Sequence, residues 1–160
     1  MPNDTTGNPS AADGDAGAML LALAEARLAP AHGDVPVGAV VVVDGAVVAS
    51  AHNERELRQD PIAHAETLAL QRAAAALGTW RLDRATLVVT LEPCPMCAGA
   101  LVASRAARVV FGTTDPKAGA AGTLYNLCAD PRLNHEVVVD GGIEAEACAE
   151  VLREFFAARR

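Results

Sequence analysis

The stretch Thr86–Phe111, TLVVTLEPCPMCAGALVASRAARVVF, decides the fold. Thr86 to Leu91 is apolar and β-branched with no charge in it, the pattern of a short strand buried in a sheet. Pro93 and Pro95 then punctuate the chain, and Pro95 to Arg105 is rich in helix formers, so a helix with proline in its first turn is expected. Val109 to Phe111 returns to strand character and stops at Gly112.

Upstream, Val37 to Val43 is almost wholly apolar, Asp44-Gly45 is a two-residue turn signal, and Ala46 to Ala51 brings more valine. That is a buried β-hairpin. Residues from about 16 to Ala29 place Leu20, Leu21, Leu23, Ala24 and Leu28 inward and Glu25 and Arg27 outward, an amphipathic helix stopped before Pro30. Pro61 opens a second helical run, Ile62 to Leu77, ended by Gly78. Downstream come a glycine-rich loop (Gly112 to Gly122), a short helix near Leu124 to Cys128, a strand at Val137 to Val139 and a last helix from about Ile143 to Ala158. Crossover helices must cover both faces of buried strands. The expected fold is therefore α/β, a three-layer α/β/α sandwich with a mixed, about five-stranded sheet.

A chain of 160 residues suits one domain. The Gly/Asp/Pro-rich residues 1–16 are expected to form a disordered acidic tail, and residues 17–160 the domain. Aromatics make up 3% of the chain, which excludes a broad stacking platform for single-stranded nucleic acid. The net charge of −7 excludes a general nucleic-acid binder. Acidic residues concentrate at the two ends, whereas Arg55 to Arg132 holds nine basic against seven acidic residues, so a local positive face is permitted. The N-terminus lacks a basic and an apolar signal region, no apolar run reaches membrane-spanning length, and four cysteines are no secreted disulfide framework. A cytoplasmic protein with no membrane partner is expected.

The chemistry lies in His64-Ala65-Glu66 and, beyond a predicted strand, Pro93-Cys94-Pro95-Met96-Cys97. One imidazole and two thiolates are the donors zinc prefers, and three protein ligands leave a fourth tetrahedral position open, the mark of a catalytic site. Both motifs fall where a proline precedes a predicted helix, so two helix N-termini can face one metal and favour thiolate. Glu66 points away from His64 and suits a base better than a ligand. A redox pair at Cys94 and Cys97 is the plainer alternative, but it leaves His-Ala-Glu unexplained. A purely structural zinc is another, against which Glu66 counts.

H-x-E followed by P-C-x-x-C resembles the zinc-dependent nucleobase deaminases. VPVGAVVV at Val35 to Val42, Asn53, DPIAHAE at Asp60 to Glu66, TLEPCPMCAGAL at Thr90 to Leu101 and RVVFGTTDPKAGAAGT at Arg108 to Thr123 narrow the resemblance to the bacterial tRNA-specific adenosine deaminases. So do NLCADPRLNH at Asn126 to His135 and the ending FFAARR. The loop Asp115 to Gly122 is the most discriminating piece.

The resemblance implies a cytidine deaminase-like fold and hydrolysis of adenosine to inosine at wobble position 34 of a tRNA anticodon. It implies one Zn2+ per subunit on His64, Cys94 and Cys97, with zinc-bound hydroxide attacking C6 and Glu66 as proton shuttle. It further implies a homodimer, the anticodon stem-loop as partner, and substrate contacts from Asn53, Asp115 and Lys117. Read without it, Asn53 closes the preceding strand and Asp115-Pro116 initiates a turn. Cys128 and Cys148 read as small buried hydrophobes, and His52 and His135 as loop residues. Arg153, Arg159 and Arg160 suit either a helix C-terminus or a contact to RNA. Two rival functions are a deaminase of a free base, guanine or cytosine, and a catalytically silent zinc-binding subunit that positions tRNA.

Overall fold

The computed structural model describes residues 11–160. Five strands form one sheet in the order β2-β1-β3-β4-β5, with β1 at Gly38–Val43, β2 at Ala46–His52, β3 at Ala85–Leu91, β4 at Arg108–Thr113 and β5 at Val138–Gly141. β1 runs antiparallel to β2 and β3, whereas β3, β4 and β5 are parallel. The helices are α1 (Ala11–Ala26), the single turn α2 (Arg55–Arg58), α3 (Ala65–Leu77), α4 (Pro95–Ala103) and α5 (Ala145–Ala157). Val40, Val88 and Val110 pack with Met19, Ala22 and Leu23 of α1 and Cys148 of α5. The alternate residues Ala39, Val41, Leu87, Val89 and Val109 pack with Leu68 and Ala69 of α3 and Ala98 and Leu101 of α4. The result is the three-layer α/β/α sandwich with a mixed five-stranded sheet. The central strand β3 is covered on both faces, which is why its sequence does not alternate.

Three local expectations need correction. The first helix starts at Ala11, not near residue 16, because Asp15 on its first turns accepts a bidentate pair from Arg108 of β4 at 2.8 and 2.6 Å. Residues 1–10 of the expected tail lie outside the described residues. The buried stripe of α1 is Met19, Ala22, Leu23 and Ala26, spaced i, i+3, i+4 and i+7, while Leu20, Leu21 and Leu28 are more than half exposed. That stripe lies very close to β1, where a Cβ on Gly38 would fall 1.9 Å from the Ala22 carbonyl oxygen. Finally, the hairpin is not buried throughout. β1 is, but β2 is the sheet edge and is largely half-exposed or exposed.

Candidate active site and metal centre

His64, Cys94 and Cys97 all sit at helix starts, as the prolines suggested. The helix α3 begins one residue after His64 and α4 one residue after Cys94, so each of these two is an N-cap rather than a first-turn residue. Neither side chain makes the usual cap hydrogen bond. Both are left free to turn toward one point, and the first-turn N–H groups keep their partial positive charge there. Cys94 follows the C-terminal end of β3 through Glu92 and Pro93, which places the site at the carboxyl ends of the parallel strands, where open α/β sheets bind ligands. The Thr67 hydroxyl donates to the His64 carbonyl at 3.0 Å and fixes the backbone behind the imidazole.

The Sγ atoms of Cys94 and Cys97 lie 3.7 and 3.4 Å from Nδ1 of His64, and the three donor atoms all fall within 4.8 Å of one another. Tetrahedral zinc, with bonds of about 2.0 Å to nitrogen and 2.3 Å to sulfur, separates such atoms by about 3.6 Å. The donor set therefore fits the metal. Among the described residues it is the one group of three or more His, Cys, Asp or Glu donors gathered this closely. Hydrogen bonding with Cys97 and His64 holds the Cys94 thiol down at about 4 against its burial, a thiolate, while the same pairing with Cys94 and burial push Cys97 up. The hydrogen bond to Cys94 raises His64 above its usual range.

Glu66 is the second residue of α3 and is 4% exposed. Its Oε2 accepts from Cys97 Sγ at 3.3 Å, which puts the carboxylate beside the donor cluster. Burial pushes its carboxyl above the usual range. A carboxylate whose burial favours the proton is suited to take and return one.

His64, Cys94 and Glu66 line a cavity of about 190 Å³ together with Asn53, Val35, Val37, Arg55, Glu92, Asp115 and Ala118, while Cys97 is buried behind it. It is small beside the roughly 300–1,000 Å³ of drug-sized pockets and suits a single ring system. Asn53 is buried; its amide nitrogen donates to the Val35 carbonyl at 3.2 Å and its Oδ1 accepts from Arg55 N–H at 3.1 Å. It closes the end of β2 and lines the cavity at once. Asp115 also lines it, but its Oδ1 is engaged by the N–H groups of Lys117 and Ala118, as the Asp-Pro turn signal implied. Lys117 is exposed and does not line the cavity.

Two supporting carboxylates escaped the sequence reading. Asp34 is fully buried and accepts the N–H groups of Glu56 and Leu57 at 2.6 and 3.0 Å and pairs with His32 Nδ1 at 2.7 Å, so it caps α2 and fixes the chain that carries Asn53 and Arg55. Glu92 is 1% exposed and accepts from the loop after β4. Its signal was a lone carboxylate closing an apolar strand before Pro-Cys. His52 is no loop residue: it ends β2, bonds Glu25 at 2.7 Å and stacks on His32 with ring centroids 5.3 Å apart. Cys128 and Cys148 are buried and apolar in their surroundings, as expected.

A mixed five-stranded sheet between two helical layers, with a His-Cys-Cys cluster and a buried glutamate at two helix starts, defines the cytidine deaminase-like class of hydrolytic deaminases. The sequence model of the MafB19-like deaminase family matches residues 14–160. A tRNA-specific adenosine deaminase of Bacillus subtilis is 54% identical over 138 residues, 86% of each chain. A structure from work on A-to-I editing by tRNA:A34 deaminases at the wobble position of transfer RNA superposes with a TM-score of 0.82 at 42% identity, covering 85% of this chain and 99% of that one. The guanine deaminase of Nitrosomonas europaea superposes with a TM-score of 0.78 at 26% identity, covering 89% of this chain and 84% of that one. The chain belongs to the tRNA-specific adenosine deaminases within this deaminase family.

Proposed function

We propose that this protein hydrolyses adenosine to inosine and ammonia at wobble position 34 of a tRNA anticodon, with zinc held by His64, Cys94 and Cys97. The observation that carries the reading is the Glu66 carboxylate, buried at the end of a base-sized cavity and 3.3 Å from a thiol of the donor cluster. Zinc in that cluster supplies Lewis acidity that makes water nucleophilic near neutral pH.

The protein's own groups do the rest. Glu66 takes one proton of the attacking water and gives it to N1 of adenine so that C6 becomes electrophilic, then takes the remaining proton from the new C6 hydroxyl and passes it to the amine, whose C6–N bond breaks to leave the inosine carbonyl and ammonia. Asn53 Nδ2 and Oδ1 each keep one hydrogen-bonding site beyond those spent on Val35 and Arg55, and these serve the flipped nucleotide. Asp115 shapes the loop that meets the anticodon strand, and Lys117 on its outer side meets phosphate. Val35, Val37 and Ala118 exclude bulk water from the base.

A homodimer in the cytoplasm is part of the proposal. No helix among the described residues is long and apolar enough to cross a membrane. The guanine deaminase superposition favours one second reading, turnover of a free base. The deciding assay follows inosine on an anticodon stem-loop RNA with A at the wobble position, beside the same loop with C or G and beside free guanine and cytosine. Inosine from the first RNA alone is expected. Ammonia from a free base without inosine replaces this reading with the second. Zinc binding without any turnover replaces it with the silent subunit. Light scattering on the eluting protein reads the dimer.

A further inference from the structure

The loop between β4 and the 3-10 turn at Leu127–Ala129 folds around one buried side chain. Glu92 is 1% exposed, and its carboxylate accepts four hydrogen bonds, all from this loop. Oε1 takes the Asp115 N–H at 3.1 Å and the Thr123 hydroxyl at 2.5 Å; Oε2 takes the N–H groups of Ala121 and Thr123, each at 3.1 Å. No Lys or Arg pairs with it among the described residues, so these donors alone compensate a buried charge. The chain is further closed by Glu92 N–H to the Thr113 carbonyl at 2.9 Å and Ala120 N–H to the Pro93 carbonyl at 2.8 Å. The loop passes so close that a Cβ on Gly119 would lie 2.6 Å from the Glu92 carboxyl carbon. Glu92 itself stands two residues before Cys94, while the loop it gathers brings Asp115 and Ala118 to the cavity wall.

We propose that Glu92 is a positioning residue: it holds the loop 114–123 at a set distance from the donor cluster, so that the loop meets the substrate while Glu66 meets the reacting atoms. The inference rests on the functional reading above insofar as it treats the loop as substrate-facing. A loop that touches the substrate away from C6 stabilises ground state and transition state alike, so its displacement raises KM and spares kcat.

Glu92→Gln tests this. An amide nitrogen cannot accept, so whichever way the amide turns, one pair of loop donors loses its acceptor. Expected are a KM for the wobble-A stem-loop raised about tenfold or more, kcat within about threefold, unchanged zinc content, and faster hydrogen exchange at the Ala121 and Thr123 amides. Thr123→Val, which deletes one donor from the other side, is expected to shift KM the same way, and Thr123→Ser to restore it; this pair carries the test if Glu92→Gln does not fold. An unchanged KM in the face of faster loop exchange overturns the proposal, because the loop then moves without consequence for binding. So does a loss of zinc with kcat, which makes Glu92 a support of the metal connector. If the wild type turns over a free base and no RNA, the functional reading fails, and the same KM comparison on that base decides the loop inference separately.

Discussion

Glu66→Gln keeps the size and burial of the side chain and removes its capacity to accept and return a proton. One positioned acid–base group contributes about 10²–10⁴ in rate. The structure argues for the upper end, because Glu66 is the cavity carboxylate that hydrogen-bonds the donor cluster, through Cys97 at 3.3 Å. Both oxygens of Glu92 are occupied by four loop donors, and Asp115 Oδ1 by two more. Turnover is expected to fall about 10⁴-fold, or about 5.5 kcal/mol in activation free energy. The proposed zinc donors His64, Cys94 and Cys97 are untouched, so metal content is expected to match the wild type. Single-turnover inosine formation on the wobble-A stem-loop, with elemental analysis of the same preparation, measures both. Turnover within about tenfold of the wild type refutes the shuttle assignment. Joint loss of zinc and activity refutes it differently, by making Glu66 a ligand.

Cys97→Ser is expected to bring bound zinc well below one per chain and abolish turnover, read by elemental analysis; full occupancy refutes the donor set. Gly38→Ala puts a Cβ 1.9 Å from the Ala22 carbonyl oxygen and is expected to destabilise by about 3 kcal/mol, the upper end for overpacking. In a chain of this size that lowers Tm by roughly 6–12 °C in a thermal melt, and an unchanged Tm refutes the close approach of α1 to β1. Burial alone would raise the Asp34 carboxyl, but the N–H groups of Glu56 and Leu57 and the pairing with His32 leave it below its ordinary value. A carboxyl with a depressed native pKa stabilises fully above the unfolded value of about 3.9 and loses that contribution as pH falls toward the native one. The stability gap between wild type and Asp34→Ala in denaturant melts is therefore expected to be largest near neutral pH and to narrow in acid; a gap that widens in acid refutes the assignment.

The β-α-β core and the donor cluster were legible because both are written locally. The run LVV in β3 lacks alternation because α1 and α3 lie on opposite faces, and Pro95 marks the start of α4 because its missing N–H is an orphan there anyway. The misread pieces depend on partners distant in sequence. Asp15 extends α1 because Arg108, 93 residues away, reaches it. Leu20, Leu21 and Leu28 looked inward by composition, yet the two stripe positions that meet Gly38 must be small, and Ala22 and Ala26 fit there where leucines cannot. In the sequence Glu92 is one letter of the TLEPC stretch. Its role requires the loop 114–123 to fold back over β3, and no periodicity announces that.

The net charge of −7 looked at odds with a polyanionic substrate, and the structure locates that charge. Glu144, Glu146, Glu150 and Glu154 lie on or beside α5, which covers the opposite face of the sheet from α3 and α4 and hence from their N-termini. Six of the twelve arginines pair closely with carboxylates where they stand: Arg58 with Glu54, Arg81 with Asp83, Arg84 with Asp44, Arg108 with Asp15 and Asp140, Arg132 with Asp130, and Arg153 with Glu146 and Glu150. Arg55 lines the cavity, is half exposed, and has its carboxylate contact only at 3.8 Å, to Glu56. The carboxylates of Glu92 and Asp115 face the same cavity with oxygens bound to N–H donors, which spread their charge into the loop backbone. The potential a substrate meets at the cavity is therefore set by the groups that line it, Arg55, Glu66, the Cys94 thiolate with the metal it would hold, and the N-termini of α3 and α4, and a sum over the whole chain says nothing about its sign.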